Sequence, residues 1–167
     1  MAHKRVNPAV PHGSPRASAH RPGLWVGREE NPYGYAGFVG LKTRDPMALR
    51  ERVEEGLSYA ALVRLQETLA IPVLELARLV SIPARTLTRR KHEGRLLPEE
   101  SDRLLRAARI FSLALELFEG KAEAARRWLS EPQVGLGGSR PFDFVRTEIG
   151  AREVERLIGR LEQGVLA

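Results

Sequence analysis

The chain has 167 residues, a formal net charge of +6 and a pI near 10.3, with 43% hydrophobic residues. That is enough apolar content for a core, and enough positive charge to favour an acidic partner, nucleic acid being the simplest. The absence of cysteine excludes disulfides, cysteine-ligated zinc and a cysteine nucleophile, and 6% aromatics are too few for a base-stacking platform.

Residues 1–34 read as a flexible basic extension. Pro8, Pro11, Pro15, Pro22 and Pro32 interrupt any helix, and the arginines and lysines outnumber Glu29 and Glu30. Too little apolar surface is present to offset the entropy of ordering. A basic arm lying along DNA is one reading of it, an artefact of the assigned start another. Trp25 is the exception, a single large side chain able to dock on the folded part or on a partner. The N-terminus lacks the apolar run of a signal peptide, and no later run approaches the roughly 20 residues that span a bilayer. The expectation is a cytoplasmic protein with no membrane contact.

Residues 33–41 hold Gly34, Gly37 and Gly40 but lack the Lys-Ser/Thr ending of a phosphate loop. They read as an extended segment laying Tyr35, Phe38 and Val39 on the core. Asp45 followed by Pro46 marks a helix start, ending near Gly56. Ser58 caps the next helix, 59–70, with Leu62, Leu65 and Leu69 on one face. Pro72 opens a short helix carrying Leu76, Ala77, Leu79 and Val80. Ser81 and Ile82 then turn the chain, and Pro83 begins a helix that Gly94 ends. That second helix has one inward residue, Leu87, among Arg85, Thr86, Thr88, Arg89, Arg90 and Lys91.

A small helix with one apolar anchor and a basic, hydroxyl-bearing outer face suits a major groove, where Arg, Lys and Thr reach phosphates or base edges. The offsets of Leu76, Ala77, Ile82, Thr86, Leu87 and Arg89 resemble the helix-turn-helix signature. Ser81 stands where that turn usually has Gly, which forces a serine into a glycine-favouring conformation, and Pro83 where it usually has Ser. An ordinary helical hairpin with a solvated basic face is the competing reading.

Pro98, Glu99 and Glu100 begin a long helix to about Glu119. From Ile110 to Phe118 it is apolar nearly all round, which suggests a subunit interface. A short helix, 121–129, presents Ala125, Trp128 and Leu129. A turn-rich passage through Gly135, Gly137, Gly138 and Pro141 follows. The last helix, from about Glu148 to Gln163, has Val154, Leu157, Ile158 and Leu161 as its stripe. Gly159 inside that helix costs about 1 kcal/mol relative to Ala, so a close neighbour is expected there. Gly164 suits the C-cap. The fold class read from these elements is all-α.

No catalytic constellation emerges. His3, His12 and His20 lie in the extension, His92 is alone beside Glu93, Asp143 has no partner acid, and Ser139 no nearby histidine. No cofactor, metal or small-molecule substrate is expected, and an enzyme is a poor reading of the chain.

The string Arg127-Trp128-Leu129 with Pro132, then Leu136-Gly137-Gly138 with Pro141, then Thr147-Glu148 with Gly150-Ala151-Arg152-Glu153-Val154, ends in Leu157-Ile158-Gly159-Arg160-Leu161-Glu162 and Gly164-Val165. It is similar to the toxin-binding domain of the Xre/MbcA/ParS antitoxins, and residues 98–104 with the helix-turn-helix ahead of them match as well. The resemblance covers about 35–167. It implies a type II antitoxin: an Xre-type helix-turn-helix and dimerisation domain over 35–119, then a toxin-binding domain over 120–167. Such a homodimer represses its own operon by binding operator DNA and blocks the active site of a RES-domain toxin that consumes NAD or transfers ADP-ribose. On that basis Arg85, Thr86, Thr88, Arg89, Arg90 and Lys91 would meet DNA. Leu136, Gly137, Gly138, Arg152, Arg156, Arg160, Gly164, Val165, Leu166 and Ala167 would meet the toxin. The apolar tail with its terminal carboxylate suits a cleft built for an anionic cofactor. Arg152, Arg156 and Arg160 share one side of the helix and face either acidic toxin groups or Glu148, Glu153 and Glu155 of the same helix. The alternative is a stand-alone helix-turn-helix regulator without a toxin partner.

Overall fold

The computed structural model describes residues 31–164. Most of the expected extension, with Trp25 and the histidines in it, and the tail residues Val165, Leu166 and Ala167 lie outside the described residues. Within them the elements are helical: a 3-10 helix at Gly34–Val39, then α1 (Pro46–Glu55), α2 (Tyr59–Leu69), α3 (Val73–Leu79), α4 (Ala84–Glu93), α5 (Pro98–Leu117), α6 (Ala122–Ser130), a 3-10 turn at Val134–Leu136, α7 (Pro141–Phe144) and α8 (Glu148–Glu162).

The starts follow local chemistry. Asp45 accepts the Met47 N–H at 2.9 Å with Pro46 at the first helical position. Pro98 opens α5, and Glu100 reaches back to accept the Leu97 N–H at 2.8 Å. The Thr147 hydroxyl accepts the Gly150 N–H at 3.0 Å to open α8. Several C-terminal ends are capped from a distance by arginine. Arg95 donates to the Glu55 carbonyl (2.8 Å), Arg126 to Thr68 (2.9 Å) and Arg103 to Val80 (2.6 Å), closing α1, α2 and α3. Each cation meets carbonyls that carry the negative end of a helix dipole. Part of the basic excess therefore serves the fold rather than a partner.

Helix α5 is the central strut. Leu104, Ala108, Ile110, Phe111, Leu113, Ala114 and Leu115 are all buried. The first 3-10 helix, α1, α2, α6 and α8 pack around it. The apolar girdle from Ile110 onward is thus covered by the chain itself, so the expectation that it forms a subunit interface loses its basis. The 33–41 segment is also corrected: it is helical, not extended. Ala36, Phe38 and Val39 are buried, and the Phe38 ring meets Phe111 edge-on with centroids 5.2 Å apart. Its glycines do not break it because a 3-10 helix of two turns needs only local bonds.

Helix α8 lays Ala151, Val154, Leu157 and Ile158 on the core. Charges finish the seam with α5. Glu148 accepts from Arg106 (2.9 Å) and Arg109 (3.4 Å), and Arg109 also pairs with Glu155 (2.9 Å). The close approach expected at Gly159 lies elsewhere. A Cβ on Gly159 would meet nothing within 4 Å, whereas one on Gly150 would fall 2.1 Å from the Phe144 carbonyl oxygen. Gly150 is what lets α7 and the start of α8 fold back on each other. Helix α7, not foreseen from the sequence, buries Pro141 and Phe142.

Candidate nucleic-acid and protein interfaces

Helices α3 and α4 form the expected two-helix unit. The Ile82 N–H donates to Ala77 O (2.7 Å) and the Ser81 N–H to Arg78 O (3.1 Å), a Schellman-type ending for α3. Ser81 occupies the residue position this ending gives to glycine, with φ of 55°. The serine thus takes the left-handed conformation its place in the turn demands, at the cost of crowding its Cβ. Pro83 precedes α4, and Gly94, at φ 72°, ends it.

Helix α4 is almost wholly on the surface. Arg85, Thr88, Arg89 and Lys91 are exposed and Thr86 is half-buried, while Leu87 is the apolar anchor. Among the described residues, the side chain of neither Arg85 nor Lys91 forms an ion pair or hydrogen bond. Arg89 makes only a loose 3.7 Å contact to Glu93. These cations are free to meet phosphates or bases. Arg90 departs from the expected set. It is 4% exposed, and its guanidinium is held by Glu100 at 2.7 Å and Glu93 at 2.6 Å. It points inward because α4 turns by 100° per residue, and position 90 shares the inner face with Leu87. Arg90 is therefore no DNA-contacting side chain in this structure.

The second candidate surface is formed by the turn before α7 and the outer side of α8. The Gln133 N–H donates to Ser139 O and the Gly138 N–H to Gln133 O, both at 3.0 Å, closing a loop whose tip holds Gly137 and Gly138 at φ 63° and 79°. Both glycines are exposed. Leu136 is not: it is buried, and it anchors the loop to the core rather than offering a contact. What the loop offers instead is Val134, 85% exposed, and at the start of α8 Ile149, 78% exposed. These are the apolar side chains the sequence reading missed. The signal for Val134 was its place between Gln133 and Gly135 in a turn-rich run; for Ile149 it was its position outside the stripe of α8.

Arg152, Arg156 and Arg160 project from one exposed side of α8. Arg152 touches Glu148 at 3.4 Å and Arg156 pairs with Glu153, while Glu155 goes to Arg109 instead. Arg160 has no ion pair among the described residues. Gly164, exposed at φ 69°, ends the described chain.

The acids here are tied up. Burial works against the charge of Glu148, but the Arg109 charge and the donors on Arg106, Arg109 and Arg152 outweigh it, holding its carboxyl below the usual range. Asp143 is likewise lowered, by the paired donors of Arg140. Arg140 also reaches Glu75 at 3.6 Å, linking this surface to α3. A cavity of about 650 Å³ lies beside α2 and the first 3-10 helix, with Lys42, Arg44 and Arg64 on its wall. Among the described residues, no group of three or more His, Asp or Glu is placed to hold a metal ion, and no helix is long and apolar enough to cross a membrane.

Similarity to known proteins follows the same division. Residues 48–109 match the antitoxin Xre-like helix-turn-helix domain, and residues 113–164 match the antitoxin Xre/MbcA/ParS C-terminal toxin-binding domain. The chain is 40% identical over 130 residues to an antitoxin Xre of Yersinia enterocolitica, covering 77% of this chain and 88% of that one. The chain belongs to the Xre antitoxin family. A Photorhabdus laumondii antitoxin Xre is 31% identical over 130 residues, 77% of this chain and 88% of its own. One from Pseudomonas putida is 33% identical over 117 residues, 70% and 72% of the two chains. Membership makes the chain an antitoxin with a helix-turn-helix and a toxin-binding domain, and points to a non-enzymatic regulatory protein. Both surfaces built above fall inside the matched segments.

Proposed function

We propose that the chain is the antitoxin of a type II system. It neutralises a RES-domain toxin, one that consumes NAD or transfers ADP-ribose, by covering its active site. As a homodimer it places two copies of α4 on operator DNA of its own operon. The observation that carries the reading is the pairing of two exposed surfaces on one frame, the exposed cations of α4 and the Val134 loop with the outer side of α8.

The toxin contact is assigned to Gly137, Gly138, Val134, Ile149, Arg152, Arg156, Arg160 and the tail from Gly164 to Ala167. The DNA contact is assigned to Arg85, Thr86, Thr88, Arg89 and Lys91. Two half-sites follow from a two-fold dimer. Gly164 frees the backbone where α8 stops. The apolar side chains of Val165, Leu166 and Ala167 beyond it then suit a cleft of the toxin. Removing residues 164–167 should leave operator binding intact and abolish suppression of a co-expressed cognate toxin. Full suppression by the shortened chain would show that the tail is not the plug. Unchanged growth on expressing the neighbouring gene alone would favour a stand-alone regulator.

A further inference from the structure

Helix α4 carries little that fixes its rotation about its own axis. Among its ten residues only Leu87 and Arg90 are buried. They lie three positions apart, on one face. A single apolar contact permits roll; a second point on the same face stops it. Here that second point is ionic. Arg90 Nε donates to Glu100 at 2.7 Å in a pair whose side chains are 5% and 7% exposed, and Arg90 Nη1 donates to Glu93 at 2.6 Å. The same Glu100 oxygen accepts the Leu97 N–H that opens α5. Backbone bonds from Tyr59 N–H to Gly94 O and from Leu96 N–H to Leu57 O, both 2.8 Å, hold the far end of α4 but do not set its roll.

We infer that Arg90 is a positioning residue for DNA recognition: by pairing with Glu100 it sets the roll of α4, and so decides which base edges and phosphates Arg85, Thr88, Arg89 and Lys91 can reach, without touching DNA itself. The inference rests on the DNA-binding part of the proposed function. A buried ion pair is a weak source of stability compared with an apolar pair of the same volume, but it demands one geometry, which suits this role.

Salt dependence separates positioning from direct contact, because every phosphate that the protein no longer neutralises lowers the slope of log K against log salt by about one. The probe is a duplex of the region upstream of the gene, titrated with the full-length chain at several salt concentrations. Arg90→Met is expected to weaken binding by about tenfold or more while leaving the slope unchanged. Arg89→Ala is expected to lower it by about one. Arg90→Met combined with Glu100→Gln removes both buried charges and keeps an oxygen for the Leu97 N–H. Its melting temperature should recover relative to Arg90→Met alone, while its affinity stays low; Arg90→Lys should recover part of the affinity. A reduced slope in Arg90→Met would make Arg90 a phosphate contact and overturn the inference. Recovery of full affinity together with stability in the double variant would reduce Arg90 to a packing residue. Failure of the unaltered chain to bind the duplex would remove the DNA reading itself, a different result from either.

Discussion

Helices α4 and α8 carry comparable numbers of arginines but use them in opposite ways. In α8 the apolar stripe of Ala151, Val154, Leu157 and Ile158 holds the helix down. Its arginines decorate the far side, Arg152 and Arg156 paired with glutamates on the same helix. In α4 one leucine and one arginine face inward, and the remaining cations lack tight carboxylate partners. A helix held by packing can carry a largely neutralised surface and still offer apolar side chains such as Ile149 in its first turn. A helix whose outer face must meet an acidic polymer keeps its positive charge free and relies on a buried ion pair for aim. Charge alone does not distinguish them; the partner of each charge does.

The difference can be sharpened by substitutions that touch backbone geometry rather than charge. The largest effect is expected at Gly150. Replacing it by Ala places a Cβ 2.1 Å from the Phe144 carbonyl, so Gly150→Ala should destabilise the fold by about 3 kcal/mol in a denaturant titration. Gly159→Ala, in the same helix but with open space around it, should stabilise by about 0.5–1 kcal/mol. Equal effects at the two positions would break the account of how α8 docks.

A gain of similar size to that at Gly159 is expected in the turn before α4. Ser81 sits at φ 55°, so Ser81→Gly should raise stability by about 0.5–1 kcal/mol, the relief of the strained backbone exceeding the added freedom of the unfolded chain. A decrease in stability on making this change would mean that the serine side chain contributes something the backbone argument omits.

The smallest effect concerns pH. Burial pushes the carboxyl of Glu148 up, but the Arg109 charge and the Arg106 and Arg109 donors hold it below its ordinary value of 4.5. A depressed carboxyl contributes stability above its unfolded value and loses it as pH falls through the folded one. The contribution is therefore fully present at neutral pH, begins to fall near pH 4.5 and is lost as pH drops through the lower folded value. With 43% of the side chain exposed, it should amount to less than about 1 kcal/mol. Glu148→Gln should flatten acid unfolding in that window and shift neutral-pH stability only slightly.

Much of this was legible in the chain. Asp45-Pro46, Pro98-Glu99-Glu100, Thr147 and the helix-ending Gly94 are local signals, and each appears where local chemistry puts it. The turn at Ser81 was readable as strained because a positive φ is a property of its place in the motif. What was not legible depends on non-local neighbours. The apolar girdle of α5 looked like an interface because sequence does not show that the 3-10 helix, α6 and α8 return to cover it. Gly159 drew notice for breaking a helix pattern, while Gly150, at a helix start, looked ordinary until Phe144 folded onto it. Arg90 looked like its neighbours Arg89 and Lys91 because its acceptor, Glu100, lies in the next helix and announces itself only as a capping residue. Leu136 sat among the glycines of a surface loop, yet its side chain is what pins that loop down.

The central claim is that two independent faces share one frame. Its most direct test is co-expression of the cognate toxin with the full-length chain in which Arg85, Arg89 and Lys91 are all changed to Glu, reading growth rescue and operator binding in the same strain. The account predicts complete rescue with operator binding abolished. Failure of rescue alongside failure of DNA binding, in a chain that still folds, would contradict it.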